Sequence, residues 1–98
     1  MTIEKIIENG KVTLAVSGRL DTATAPELEA ALDDLPENTR DLVLDFKGLA
    51  YISSAGLRVI LKAQKAMNTK GSMKLTGVCD SIMEVFDITG FLDILTIE

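Results

Sequence analysis

The 98-residue sequence contains no histidine, no tryptophan and a single cysteine, Cys79. Without histidine, the Ser-His-Asp and Cys-His arrangements that activate a nucleophile are excluded, and with them most hydrolase chemistry. One thiol and no imidazole leave no zinc-binding cluster, and an intramolecular disulfide is ruled out. Cys79 is therefore expected to be a small core residue. Prolines number two and aromatic residues four. No apolar run approaches the ~20 residues of a membrane-spanning helix. The first ten residues, MTIEKIIENG, lack the charged start, apolar core and cleavage site of a secretion signal. A cytoplasmic protein with no direct membrane insertion is expected. The net charge is −5, and the basic residues form no stripe interleaved with aromatics, so nucleic acid is not an expected partner. The glycine-rich phosphate loops GxxxxGK[ST] and GxGxxG are both absent. No cofactor and no metal are expected.

What remains is a chain 47% hydrophobic, enough for one compact domain spanning residues 1–98. Asn9-Gly10 supplies the positive φ angles of a tight hairpin between two N-terminal strands. Val12, Leu14 and Val16 alternate with more polar neighbours, as in a half-buried strand. Leu28, Ala31, Leu32 and Leu35 then recur at helical spacing, with Thr24 and Glu27 placed for a capping box and Pro26 set to shift the start. The acids Glu27, Glu29, Asp33 and Asp34 form a solvated face.

The block DLVLDF, Asp41 to Phe46, reads as a strand covered on both faces at the centre of the sheet. After the junction YISSAG, Leu57, Ile60, Leu61 and Met67 define the inner face of a longer helix stopping near Gly71. Met67 is expected to be packing. SMKLTGV supplies another strand. DSIMEVFDITG supplies a helix with Ile82, Val85 and Phe86 inward, Ser81 and Glu84 at capping-box spacing and Gly90 closing it. DILTIE is expected to add a final short strand. The pattern predicts an α/β domain with a mixed β-sheet, an N-terminal hairpin and crossover helices.

In such sheets function gathers where strands hand over to helices, and the serines of YISSAGLR occupy such a handover. Ser54 is expected as the helix N-cap, accepting from an otherwise unpaired backbone N–H. The same position suits a switch. A phosphate at a helix start meets free donors and the positive end of the dipole, and adds about −1.5 to −2 charges where a partner would dock. Gly56 either relieves crowding at the helix start or lets another protein's active site approach Ser54. Arg58, four residues beyond Ser54, either holds a phosphate or is an ordinary surface arginine.

Three segments, VSGRLDTATAPELE, LVLDFKGLAYISSAGLRVIL and MKLTGVCDSIMEVFDITGF, make the whole chain resemble the STAS domain family, and within it the stand-alone bacterial anti-sigma-factor antagonists. The family's local pattern is Asp-Ser-Ser/Thr-Gly. Laid on this sequence it places Ser54 at the phosphoacceptor, Ala55 at the Ser/Thr, Gly56 at the glycine and Ser53 where the aspartate usually stands. Ser53 is the less favoured acceptor. Asp21, in GRLD, matches an acidic position near the acceptor in family members; read alone, it is a loop-capping aspartate.

The resemblance implies partner switching without catalysis. The unphosphorylated protein binds a serine kinase that doubles as an anti-sigma factor, phosphorylation releases it, and a metal-dependent serine phosphatase resets the cycle. The expected partner surface comprises Asp21, Ser53, Ser54, Gly56 and Arg58. A second reading keeps the fold but makes the chain a cytoplasmic STAS subunit supporting a membrane transporter, with Ser54 structural. A third, a small enzyme using Asp21 with Asp45, has no motif behind it; Asp45 is expected to satisfy nearby backbone donors.

Overall fold

The computed structural model describes residues 1–98. Strands β1 (Thr2–Glu8) and β2 (Lys11–Leu20) form the antiparallel hairpin, and Gly10 takes a φ of 80° at its turn. Helix α1 (Ala25–Asp33) leads to β3 (Asp41–Asp45), followed closely by β4 (Leu49–Ile52). Helix α2 (Ser54–Lys70), β5 (Ser72–Thr76), α3 (Asp80–Ile88) and a 3-10 turn at Phe91–Asp93 complete the chain.

The five-stranded sheet runs β1-β2-β3-β5, with β4 paired to β2. β2 thus takes two parallel partners in succession: Lys11 to Ala15 align with β3, and Gly18 to Leu20 with β4, across a register shift at Gly18/Arg19. The registers stack Val12–Leu42–Met73 and Leu14–Leu44–Leu75 in rows on one face. Those residues share a single buried cluster with Leu28, Ile60, Ala63, Met67, Ile82 and Phe86 from the helices. Each large side chain withdrawn from water there contributes about 1.5–3 kcal/mol. Thr13, Val43 and Lys74 form a row on the opposite face and lie outside that cluster.

β3 is interior to the sheet and all three of Leu42, Val43 and Leu44 are buried, as its sequence suggests. Met67 is packed in the core and α2 ends at Lys70 with Gly71 following. Gly90 takes a φ of 79° just beyond α3.

Three expectations are corrected. The YISSAG junction begins inside a strand, β4, whose four residues are too few to show a period. DILTIE forms the end of the 3-10 turn and a single parallel bridge, Leu75 to Ile97, in place of a strand. Leu61 stands outside the core cluster; Ile60, Ala63 and Met67 carry the inner face of α2 further along.

Candidate functional site at the α2 start

Two helix starts meet at the carboxyl ends of β2 and β4. Leu20 and Ile52 are parallel partners, and Ser53 N–H donates to the Leu20 carbonyl at 2.9 Å. The chain therefore leaves the sheet for α1 and for α2 at neighbouring points.

At the first start Asp21 folds its loop upon itself. Its Oδ1 accepts from the backbone N–H groups of Ala23 and Thr24, each at 3.0 Å. Bonds to the charged form favour it, so these donors, Thr24 N–H foremost, hold the Asp21 carboxyl below its ordinary pKa of 3.8. Thr24 precedes α1 but makes no side-chain cap. Its hydroxyl instead accepts from Asp21 N–H at 2.8 Å and donates to the Arg19 carbonyl at 2.7 Å. The capping box expected of Thr24 and Glu27 fails because the threonine is already committed. Pro26 does not displace the start, since Ala25 is the first helical residue.

At the second start the two serines divide their tasks. Ser53, in extended conformation, is the N-cap, and its Oγ accepts from Gly56 N–H at 3.4 Å. Ser54, expected as the cap, is instead the first helical residue. It is exposed. None of the side-chain hydrogen bonds formed within the chain involves its hydroxyl. The correction is by one residue, and its cause is local: a cap needs the extended geometry that only Ser53 has.

Gly56 is buried. A Cβ there would lie 2.7 Å from Leu20 Cγ and 3.0 Å from Ile52 Cγ1. The glycine lets α2 approach its own sheet, so its side-chain-free face is turned toward Leu20 and Ile52 and away from any incoming protein. Arg58 is exposed and joins none of the ion pairs.

Asp45 accepts from Lys47 N–H at 3.0 Å, as expected. It is level with Ala15 on β2, six residues before Asp21. At about 3.3 Å per residue the two acids are separated by roughly 20 Å, far beyond the reach of paired carboxylates. At α3 the N-cap is Cys79 and the helix begins at Asp80, which displaces the expected Ser81–Glu84 box. Cys79 is half-buried against the core. Its Sγ lies 3.3 Å from Ser81 Oγ, and that hydrogen bond is the main cause lowering the thiol pKa.

A pair not singled out from the sequence stands beside the serines. Arg19 and Tyr51 are cross-strand partners, and the guanidinium sits 4.1 Å from the ring centroid. Its only signal is the β2–β4 register, which is hidden until β4 is recognised.

The model of the family described as STAS domain matches residues 2–98. BtrV of Bordetella bronchiseptica, provisionally named an anti-sigma factor antagonist, is 37% identical over 99 residues, covering 99% of this chain and 84% of its own length. The anti-sigma-B factor antagonist of Staphylococcus aureus is 31% identical over 100 residues, covering 100% of this chain and 93% of its own. Among solved structures, the phosphorylated form of the Bacillus cell fate determinant SpoIIAA superposes with a TM-score of 0.76 at 15% identity, covering 99% and 91% of the two chains; at that identity the likeness concerns the fold. A mixed sheet with its helix starts gathered at one end, matched along nearly its full length by sequence, makes this chain a member of the STAS domain family.

Proposed function

We propose that the chain is an anti-sigma-factor antagonist that works by partner switching, with Ser54 as the phosphoacceptor. Unphosphorylated, it binds a serine kinase that doubles as an anti-sigma factor, and so frees a sigma factor. Transfer of the ATP γ-phosphoryl group to Ser54 Oγ reverses the binding, and a metal-dependent serine phosphatase removes the phosphate. The chain itself catalyses nothing in this cycle.

The observation that carries the reading is the division between the two serines. Ser53 holds the helix start, while Ser54 is exposed with its hydroxyl unspent. A phosphate on Ser54 leaves the cap in place, so the modification changes the surface without dismantling α2. An uncompensated charge at a docked interface costs about 3–5 kcal/mol, roughly a hundred- to several-thousand-fold in affinity. The relatives named as anti-sigma factor antagonists, at 37% and 31% identity, support this reading over the transporter-subunit one; the solved structures show the fold that both readings share.

The test is intact-mass and peptide-mapping mass spectrometry after incubation with ATP and the candidate anti-sigma kinase of the source genome. One phosphate on wild type and on Ser53→Ala, absent from Ser54→Ala, is the expected result. Loss of the phosphate in Ser53→Ala alone moves the acceptor by one residue. A kinase that binds the protein and never phosphorylates it sinks the switch.

A further inference from the structure

The two edges of the sheet are finished differently. At the β5 edge, Leu75 N–H donates to the Thr96 carbonyl and the Leu75 carbonyl accepts from Glu98 N–H, each at 2.9 Å, so the closing residues cover it. β1 is the opposite edge, and all of its residues except Ile3 are exposed. It contains no proline, and its pairing with β2 runs without a bulge from Thr2 to Glu8. A long, regular edge of this kind is a template for a further strand. The groups it offers follow from β2. The Gly10 carbonyl accepts from Asp41 N–H and Gly18 N–H donates to the Gly48 carbonyl, so the even positions of β2 turn toward β3 and β4. The odd positions turn toward β1 and meet its even residues. The N–H and C=O groups of Ile3, Lys5 and Ile7 therefore point away from the molecule.

A second copy of the chain uses all of these groups in one register. Antiparallel strands related by a twofold axis through the sheet keep like faces together, so the axis must fall on a residue. With the axis on Lys5, Ile3 opposes Ile7 twice and Lys5 opposes itself, and every outward N–H and C=O finds a partner. Moving the axis to Glu4 leaves Ile7 without a strand residue opposite it and sets Glu4 against Glu4. Moving it to Ile6 strands Ile3 and sets Glu4 against Glu8. Like charges directly opposite are destabilising, and the Lys5 axis avoids every acid pair. Its one like pair is the two lysines, and each has an acid on its own chain, since Lys5 Nζ lies 3.6 Å from Asp34 Oδ2. Ile7, 55% exposed on the single chain, is covered in this register by the partner's Ile3.

We propose that β1 is a self-association edge: two copies of this chain join β1 to β1, antiparallel about Lys5, into one continuous sheet. The interface is isologous and closes at two copies, because each chain has a single such edge. β1 pairs with β2 only as far as Ser17, short of Leu20 and the α2 start. Both Ser54 hydroxyls therefore stay open, and one assembly displays two copies of the candidate site.

Sedimentation velocity on the full chain, from micromolar to millimolar concentration, reads the association, and circular dichroism checks that each variant is folded. Wild type should pass from monomer to dimer as concentration rises and go no further. Lys5→Pro removes an outward N–H that β2 does not use, and should weaken self-association about tenfold or more. Ile7→Lys leaves every backbone bond in place and should weaken it as much, by setting a charge against the partner's Ile3. The control Ile88→Lys alters an isoleucine 80% exposed at the end of α3 and should change it less than about twofold. In a Cys79→Ser background under mild oxidation, Lys5→Cys should cross-link to itself, because a pair exchanging both bonds sets its Cα atoms about 5.5 Å apart, within disulfide reach. Glu4→Cys, offset from its own copy by two residues, should not. A chain that stays monomeric throughout overturns the proposal, as does a dimer that survives both Lys5→Pro and Ile7→Lys. Equal loss in Ile88→Lys, or cross-linking through Glu4→Cys and not Lys5→Cys, overturns it too. Ile3, Lys5 and Ile7 amides that gain exchange protection only when the anti-sigma kinase is added would assign the edge to that partner and overturn self-association. None of these results depends on Ser54 being the phosphoacceptor.

Discussion

The starts of α1 and α2 lie side by side, and they spend their short polar side chains differently. At α1, Asp21 and Thr24 turn their side chains inward on their own loop, each bonded to backbone groups from Arg19 to Thr24. At α2, Ser53 does comparable work and Ser54 does none. A polar side chain committed to its own backbone defines a shape; one left free at the surface is available for chemistry. For the proposed switch, this difference favours Ser54 over Ser53, with which it shares the helix end.

The comparison breaks first if charge at Ser54 is without effect. Stoichiometrically phosphorylated protein should bind the kinase at least a hundredfold more weakly than unmodified protein, corresponding to about 3 kcal/mol, as measured by titration calorimetry. Ser54→Asp should weaken it less, because it carries less charge than a phosphate. Next in size is the packing that seats α2. Gly56→Val forces a side chain into the space of Leu20 and Ile52 and should lower stability by about 1–3 kcal/mol in urea unfolding. An unchanged midpoint would mean that α2 can lift from the sheet at no cost.

Smaller effects separate the serines directly. Ser53→Ala should cost about 0.5–1 kcal/mol, toward the lower end of cap values because its bond is long at 3.4 Å. Ser54→Ala should stay within about 0.5 kcal/mol of wild type; equal losses in the two would erase the division of labour. The smallest effect belongs to Asp21. Its carboxyl is held below 3.8, so the folded state binds fewer protons there than the unfolded chain. Its contribution is fully present above that value and is lost as pH falls through the lower, folded pKa. An NMR titration of the Asp21 carboxyl should give a midpoint below 3.8, with the Ala23 and Thr24 amide shifts following it. A midpoint at or above that value would separate the loop geometry from the charge.

Much of this arrangement is legible from residue order. The Asn9-Gly10 turn, the apolar block of β3 and the long stripe of α2 are each specified locally, by turn chemistry or by period, and tertiary contacts reinforce them. What escapes is what depends on partners remote in the chain. Tyr51 and Arg19 meet only because β4 lies on the far half of β2. The closing residues read as a strand because alternation is all that a short segment can display, whereas β5 accepts them at one bridge. The cap itself slips by one residue, because two adjacent serines offer identical chemistry and only the backbone angle at Ser53 decides.

The split partnership of β2 has a consequence for timing. Its first half is sealed by β1 and β3, but the surface around Ser54 exists only once Leu20 has found Ile52, 32 positions later, and Gly56 has closed over both. Such distant pairings carry the loop-closure cost that slows folding. A partner that read this corner would therefore read a finished molecule, since an incompletely folded chain contains the same serine without the Leu20–Ile52 pairing and the Gly56 contact that shape its surroundings.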